Sequence, residues 1–200
     1  MPPKQSITKE MVVDAAFVLV RKKGIAALSA RNIAKSLNCS TQPIYSCFKT
    51  MSDLEKEVIQ KAAGFVQDRY LVSKTKQENN FKSIGLGYIA MAKKEKHLFD
   101  LLYLSGRVRL DFENHVFPVD TALLINVMRR DPYLADLPED DLLELLGHMW
   151  IYTHGLTVLT SANPSVSDAF VHKALDEMGH LVIMSKLKEK GVIHHEDSGC

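Results

Sequence analysis

Apolar residues recur at helical spacing through almost the whole chain, and each run is closed by residues that end helices. From Thr8, the residues Met11, Val12, Ala15, Ala16 and Leu19 fall on one stripe, and the run closes with Arg21, Lys22, Lys23 and Gly24. Those cations oppose the negative end of the helix dipole, and a glycine after them can take the left-handed conformation that finishes a helix. Further helical runs cover 52–66, 79–92, 96–104, 119–130, 138–162 and 165–191, with two short ones between 29 and 49. The expected fold is therefore all-α, with about nine helices and no internal repeat.

The two short runs carry the most specific information. Ser29 is placed to cap a helix bearing Ile33, Ala34 and Leu37, which stops at Asn38, whose short polar side chain tolerates positive φ. Ser40 is the expected N-cap of the next helix, with Thr41, Gln42 and Pro43 as its first turn, where backbone N–H groups have no intrahelical partner and a proline loses no bond. Pro43 disfavours helical geometry at Gln42, so local strain is expected there. Ile44, Cys47 and Phe48 then form the buried stripe, with Cys39 packing from the turn, and Thr41, Gln42, Tyr45, Ser46 and Lys49 face outward. Helix, tight turn and helix over 29–48 is the layout of a helix-turn-helix. Its second helix is free of acidic residues, as entry into a major groove about 12 Å wide requires.

Charge supports that placement. Residues 1–50 carry Lys4, Lys9, Arg21, Lys22, Lys23, Arg31, Lys35 and Lys49 against Glu10 and Asp14, a net +6; the remaining 150 residues carry −5, giving the chain its formal +1. A basic head on a mildly acidic body points to a polyanion partner for the head alone. The apolar fraction of 46% is ordinary for a globular protein, no run is long and apolar enough to span a membrane, and the first residues lack a secretory apolar run. A cytoplasmic location is expected. Three cysteines, Cys39, Cys47 and Cys200, fit reduced thiols better than a disulfide framework, and none has the spacing of a zinc or redox site.

In the body, Ser52 and Glu55 form a capping box ahead of Leu54, Val58, Ala62, Phe65 and Val66, so head and body are expected to join through one stiff helix. Pro138 with Glu139, Asp140 and Asp141 opens a long helix that runs to about Ala162, before Asn163 and Pro164. Ser165 with Asp168 starts the last helix, whose stripe of Val171, Ala174, Leu175, Met178, Leu181, Val182 and Ser185 is close to heptad spacing and ends near Gly191. Two such helices expose more apolar surface than one hairpin buries, and a two-fold partner would complete a four-helix bundle. The tail IHHEDSGC reads as flexible. His148 and His154 lie six apart and cannot share a helix face; His154, four from Trp150, reads as a packed, hydrogen-bonded histidine. Gly85-Leu86-Gly87 is a weak phosphate-loop signal because no strand precedes it.

The stretch ALSARNIAKSLNCSTQPIYSCFKTMSDLEKEV resembles the N-terminal DNA-binding domain of the TetR family of bacterial transcriptional regulators. The likeness spans about 8–58: Gly24 after the first helix, Ser29 at the family's capping threonine, Ile33-Ala34, Ser40, Ile44-Tyr45, Phe48 and Leu54. WIYTHGLTVL, from Trp150, resembles the Trp-His-Gly stretch of the penultimate helix. Asn38 stands where glycine is usual, Cys47 where a histidine or other polar residue is common, and Met51 where a lysine is frequent, Lys49 being the nearest substitute.

The resemblance implies a helix-turn-helix DNA-binding domain over 6–51, a larger helical regulatory and dimerisation domain over 52–190 and a tail over 191–200. It implies a homodimer formed through the last two long helices, a repressor that binds a palindromic operator in double-stranded DNA and releases it when a small-molecule effector enters the body. No cofactor, metal or enzymatic activity is expected. The DNA contacts carried over are Ser29, Arg31, Ser40, Thr41, Gln42, Pro43, Tyr45, Ser46 and Lys49. Of these, Thr41, Gln42 and Ser46 face base edges, Pro43 offers apolar contact, and Tyr45, Lys49, Arg31 and Ser29 hold phosphates. Candidate pocket residues are Phe65, Tyr88, Met91, Phe99, Tyr103, Met128, Trp150 and His154. A second reading keeps the helix-turn-helix shape and uses it as an interaction module, a co-regulator acting through protein contacts.

Overall fold

The computed structural model describes residues 6–72, 80–163 and 165–191. The tail at 192–200, the start of the helix expected at 79, and Pro164 lie outside them. Among the described residues the secondary structure is helical: α1 Lys9–Lys23, α2 Ala30–Ser36, α3 Gln42–Cys47, α4 Met51–Val66, α5 Phe81–Lys94, α6 Lys96–Phe99, α7 Thr121–Met128, α8 Glu139–Ala162 and α9 Asp168–Glu189. α4 continues into a π-helical turn, Gln67–Leu71, and α6 into another, Asp100–Leu104. The single helix expected over 96–104 is thus two hydrogen-bonding patterns in series. Among the described residues the one extended feature is an isolated antiparallel bridge between Asp111 and Val116.

Most helix starts are fixed by side chains. Thr8 accepts a hydrogen bond from the Met11 amide at 3.2 Å, and Asp120 one from Ala122 at 2.9 Å. Three expected caps move. α4 is capped by Thr50, whose hydroxyl accepts from the Asp53 amide at 3.1 Å and donates to the Asp53 carboxylate at 2.7 Å; Glu55 of the expected Ser52 box instead holds Arg107. α9 is capped by Ser167, not Ser165, through the Phe170 amide at 3.2 Å. Thr41, not Ser40, is the residue before α3, and no side chain caps that helix; Thr41 already has helical angles, φ −74° and ψ −17°. Gly24 closes α1 with φ +80° and ψ 170°, a positive φ as expected but outside the left-handed helical well.

The described chain divides into two compact units, Met1–Val66 with Lys94–Arg109, and Gln67–Lys93 with Leu110–Cys200. In the first unit, α1 lies against α2, α3, α4 and α6. It buries Val12, Ala16, Phe17 and Val20, while Met11, Ala15 and Leu19 of the expected stripe are half-buried. The buried face is turned because Phe17, the largest apolar side chain in the helix, packs on Phe65 of α4 with ring centroids 5.4 Å apart.

In the second unit α8 and α9 pack along each other, and Ile89, Leu156, Val171, Ala174 and Leu175 form a core cluster. Of the stripe expected on α9, Val171, Ala174 and Leu175 are buried, Met178 and Val182 half-buried, and Leu181 and Ser185 exposed. The C-terminal end of α9 is tied to the start of α8 by charge. Lys186, 6% exposed, lies 2.7 Å from Glu144, 3.0 Å from Glu189 and 3.7 Å from Asp141. Lys190 pairs with the buried Asp141 at 2.8 Å. Hydrogen bonds to Glu144 and Glu189 raise the Lys186 ammonium above the usual lysine range. Its stabilising effect is therefore complete below the ordinary lysine pKa and is lost only as pH climbs through the higher folded value. Lys186→Ala leaves Asp141 with Lys190 alone, and a loss of about 2 kcal/mol is expected in urea denaturation near neutral pH.

Candidate nucleic-acid interface

The turn between α2 and α3 is built by hydrogen bonds that leave its outer face free. Ser29 accepts from the Asn32 amide at 3.3 Å, and the Asn32 side chain donates to the Ala27 carbonyl at 2.9 Å, holding the approach to α2. At the other end the Cys39 amide donates to the Ala34 carbonyl at 3.0 Å and the Asn38 amide to Lys35 at 3.3 Å. That pair is a Schellman closure, and it requires the left-handed residue that Asn38 supplies with φ 52°. The chain reverses in three residues and enters α3 at once.

α3 is held by two apolar anchors. Ile44 is 1% exposed and Phe48 5%, and the Lys9 ammonium sits 5.3 Å from the Phe48 ring centroid. Cys47, expected to be buried with them, is half-buried, with its sulfur 3.9 Å from the Ile7 carbonyl; Cys39 is also half-buried. With Ile44 and Phe48 inward, the opposite side of a six-residue helix must face solvent. Arg31, Ser40, Thr41, Gln42, Tyr45, Ser46 and Lys49 are all exposed, and Ser29 and Pro43 are half-buried. Of the nine residues singled out in the sequence, Ser29 and Arg31 lie at the start of α2, Ser40 and Thr41 in the turn, Gln42, Pro43, Tyr45 and Ser46 on α3, and Lys49 just past its end. Ser46 donates to the Gln42 carbonyl at 3.1 Å, which leaves its lone pairs, and the whole Gln42 amide, open to a ligand.

No acidic residue occurs between Asp14 and Asp53, so this face carries only neutral polar groups and the cations Arg31, Lys35 and Lys49. Chemically it can make neutral hydrogen bonds in its centre and charge-assisted ones to anions at its edge. Asp53, the first acid beyond it, is engaged with Thr50.

The residues picked out for a pocket fall in different places. Phe65, Phe99 and Tyr103 belong to the first unit: Phe65 packs on Phe17, and Phe99 and Tyr103 lie 5.6 Å apart. Tyr88, Met91, Met128, Trp150 and His154 belong to the second, where Met91 and Met128 are fully buried. Tyr88, Trp150 and His154 meet. His154 stacks on Trp150 with centroids 4.8 Å apart, and the Tyr88 hydroxyl is 2.8 Å from His154 Nδ1. Burial lowers the His154 pKa, so the ring is neutral at pH 7. Phe112 and Phe117 complete the cluster, at 5.1 and 6.1 Å from Trp150. Neither was picked from sequence, because they lie in the non-helical 110–117 stretch, where no periodicity links them to α8.

Among the described residues no group of three or more His, Cys, Asp or Glu is placed to hold a metal, and no helix is long and apolar enough to cross a membrane. His194 and His195 lie outside those residues. No protein-family model and no curated protein matches the chain. Among solved structures, the chain is similar to a tetR-family transcriptional regulator from Streptomyces coelicolor, with a TM-score of 0.61 at 15% identity, over 90% of this chain and 82% of that one. A second Tetr-family transcriptional regulator from Streptomyces coelicolor aligns with a TM-score of 0.49 at 19% identity, over 96% and 99% of the two chains. On the coverage and score of the first, together with the all-helical plan of the described residues, the chain has the fold of the TetR-family transcriptional regulators.

Proposed function

We propose that the chain is a TetR-family transcriptional regulator that binds double-stranded DNA through the turn and outer face of α3, over a DNA-binding domain of 6–51 with 52–190 as its regulatory body. The observation that carries this reading is the acid-free polar face of α3, exposed because Ile44 and Phe48 anchor the other side. Thr41, Gln42 and Ser46 read base edges, with Pro43 against an apolar group; Ser29, Arg31, Tyr45 and Lys49 hold phosphates and set the register, and Ser40 joins the contact from the turn. Such a protein works where the DNA is, in the cytoplasm.

Dimerisation through α8 and α9 is supported by apolar side chains left exposed on them: Ile151, Val158 and Leu159 on α8, Phe170 and Leu181 on α9. Ile151 and Val158 are seven apart, and Phe170 and Leu181 eleven apart, so each pair shares a helix face. A two-fold dimer places two α3 helices on half-sites about 34–36 Å apart, or a multiple of it, and so selects a palindromic operator. The aromatic cluster about Trp150 is the part of the body best suited to an effector, whose binding would relieve repression.

The test is fluorescence anisotropy with duplexes from the DNA flanking its own gene. Binding should weaken with salt in proportion to the phosphates neutralised. Tyr45→Phe with Lys49→Ala should reduce affinity alike on all sequences, whereas Gln42→Ala should alter base preference by about 1–3 kcal/mol at one position. Absence of any salt-sensitive complex, together with capture of a protein by the same face, would favour the co-regulator reading instead.

A further inference from the structure

α1 carries more apolar surface than the helices packed on it cover. Besides its buried face it presents Met11, Ala15, Val18 and Leu19, and together with Leu37 at the end of α2 these line an open groove of about 570 Å³. Val18 is 47% exposed. Three turns of helix, about 16 Å, separate Met11 from Lys22, a length that suits a short helix laid along the groove better than a compact small molecule.

Charge identifies the occupant. Asp14, the acid of the groove, is committed to Lys61 at 2.5 Å. Lys22 and Lys23 stand exposed at the other end, with no ion-pair partner among the described residues. The uncompensated charge at the rim is therefore positive, and an acidic occupant gains both steering and specificity from it. None of the groove residues is among those assigned to DNA. We propose that this groove docks an acidic amphipathic helix of a partner protein, with apolar residues at i, i+3 or i+4 and i+7 against Met11, Ala15, Val18 and Leu37, and carboxylates over Lys22 and Lys23.

The probe is a set of labelled synthetic peptides of about 14 residues sharing one leucine stripe, flanked by Glu or by Lys, with a Glu-flanked scramble that destroys the stripe. Anisotropy against the full chain should show the Glu-flanked peptide binding with a Kd of about 10–100 μM, and the scramble and Lys-flanked peptide about 10-fold weaker or more. Lys22→Glu with Lys23→Glu should reverse the preference for flank charge, and Val18→Asp should abolish binding of both stripes with an unchanged melting midpoint. All three positions are exposed, so the variants read the groove and not the fold. Equal binding of the scramble, or indifference to Lys22 and Lys23, overturns the proposal. So does dissociation of a larger species by Val18→Asp in sedimentation, which makes a second copy the occupant, and so does saturation by dodecanoate where no peptide binds.

Discussion

Arg21→Ala is expected to lower the unfolding free energy by about 3 kcal/mol, although the Arg21 side chain is 41% exposed and many ion pairs of that exposure are worth under about 1 kcal/mol. The difference lies in the partner. Glu95 is 7% exposed and is held by two charge-assisted hydrogen bonds, Nε to Oε2 at 2.8 Å and Nη2 to Oε1 at 2.5 Å. The same guanidinium lies 4.4 Å from the Phe65 ring centroid, and Phe65 packs on Phe17 in the core of the first unit. Truncation therefore removes both of these hydrogen bonds from a buried carboxylate and uncovers an aromatic face together. Solvent access at Arg21 holds the effect to the low end of the range for broken buried pairs.

Arg21→Lys tests the geometry, since it keeps the charge but not the fork or the stacking, and should recover less than half of the loss. Glu95→Gln in the Arg21→Ala background should restore part of the stability, because the buried charge is then gone. Urea denaturation of the parent, Arg21→Ala, Glu95→Gln and the double variant forms a double-mutant cycle, and a coupling below about 0.5 kcal/mol would show that the pair behaves as an ordinary surface one.

The helix-turn-helix was legible in the sequence because its determinants are local. Asn38 as the left-handed residue and Ser29 as the cap of α2 each depend on neighbours within five positions, while Ile44 and Phe48 are marked as anchors by their i, i+4 spacing. The caps that moved show the limit of local rules. Ser52 with Glu55 satisfies the capping-box spacing as well as Thr50 with Asp53 does, and the choice was made at long range, where Arg107 takes Glu55. The π-helical turns at Gln67–Leu71 and Asp100–Leu104 were invisible because an apolar pattern over five residues does not distinguish an i+5 from an i+4 hydrogen bond.

The body was the least legible part for the same reason. Helical period says that one side of α8 is apolar, not that Trp150 will meet Phe112 and Phe117 from a loop more than thirty residues earlier. The Gly85-Leu86-Gly87 pair was read only as a weak loop motif. Both glycines instead lie inside α5, where glycine is unfavourable by about 1 kcal/mol relative to alanine, so a packing reason is needed for each.

Only one of them has such a reason, and this makes opposite outcomes for two alanines on one helix. A Cβ at Gly87 would stand 1.8 Å from the Tyr70 carbonyl oxygen and 2.8 Å from its carbon. Those atoms are backbone in the π-helical turn, so no side chain can swing aside, and either α5 or the turn must move by more than an ångström. Gly87→Ala is expected to cost about 3 kcal/mol or more, at or beyond the upper end of ordinary overpacking, because the displaced element carries packed residues such as Tyr88 and Leu71 with it. At Gly85 the nearest atoms to an added Cβ are Leu175 Cδ1, Leu175 Cδ2 and Thr153 Oγ1, each at 3.5 Å, which is ordinary contact. Gly85→Ala should therefore gain helix propensity and a little burial, raising stability by about 0.5–1 kcal/mol. Thermal melts of the two variants settle the matter by sign: if Gly87→Ala also stabilises, the close approach of α5 to Tyr70 is not a feature of the folded protein.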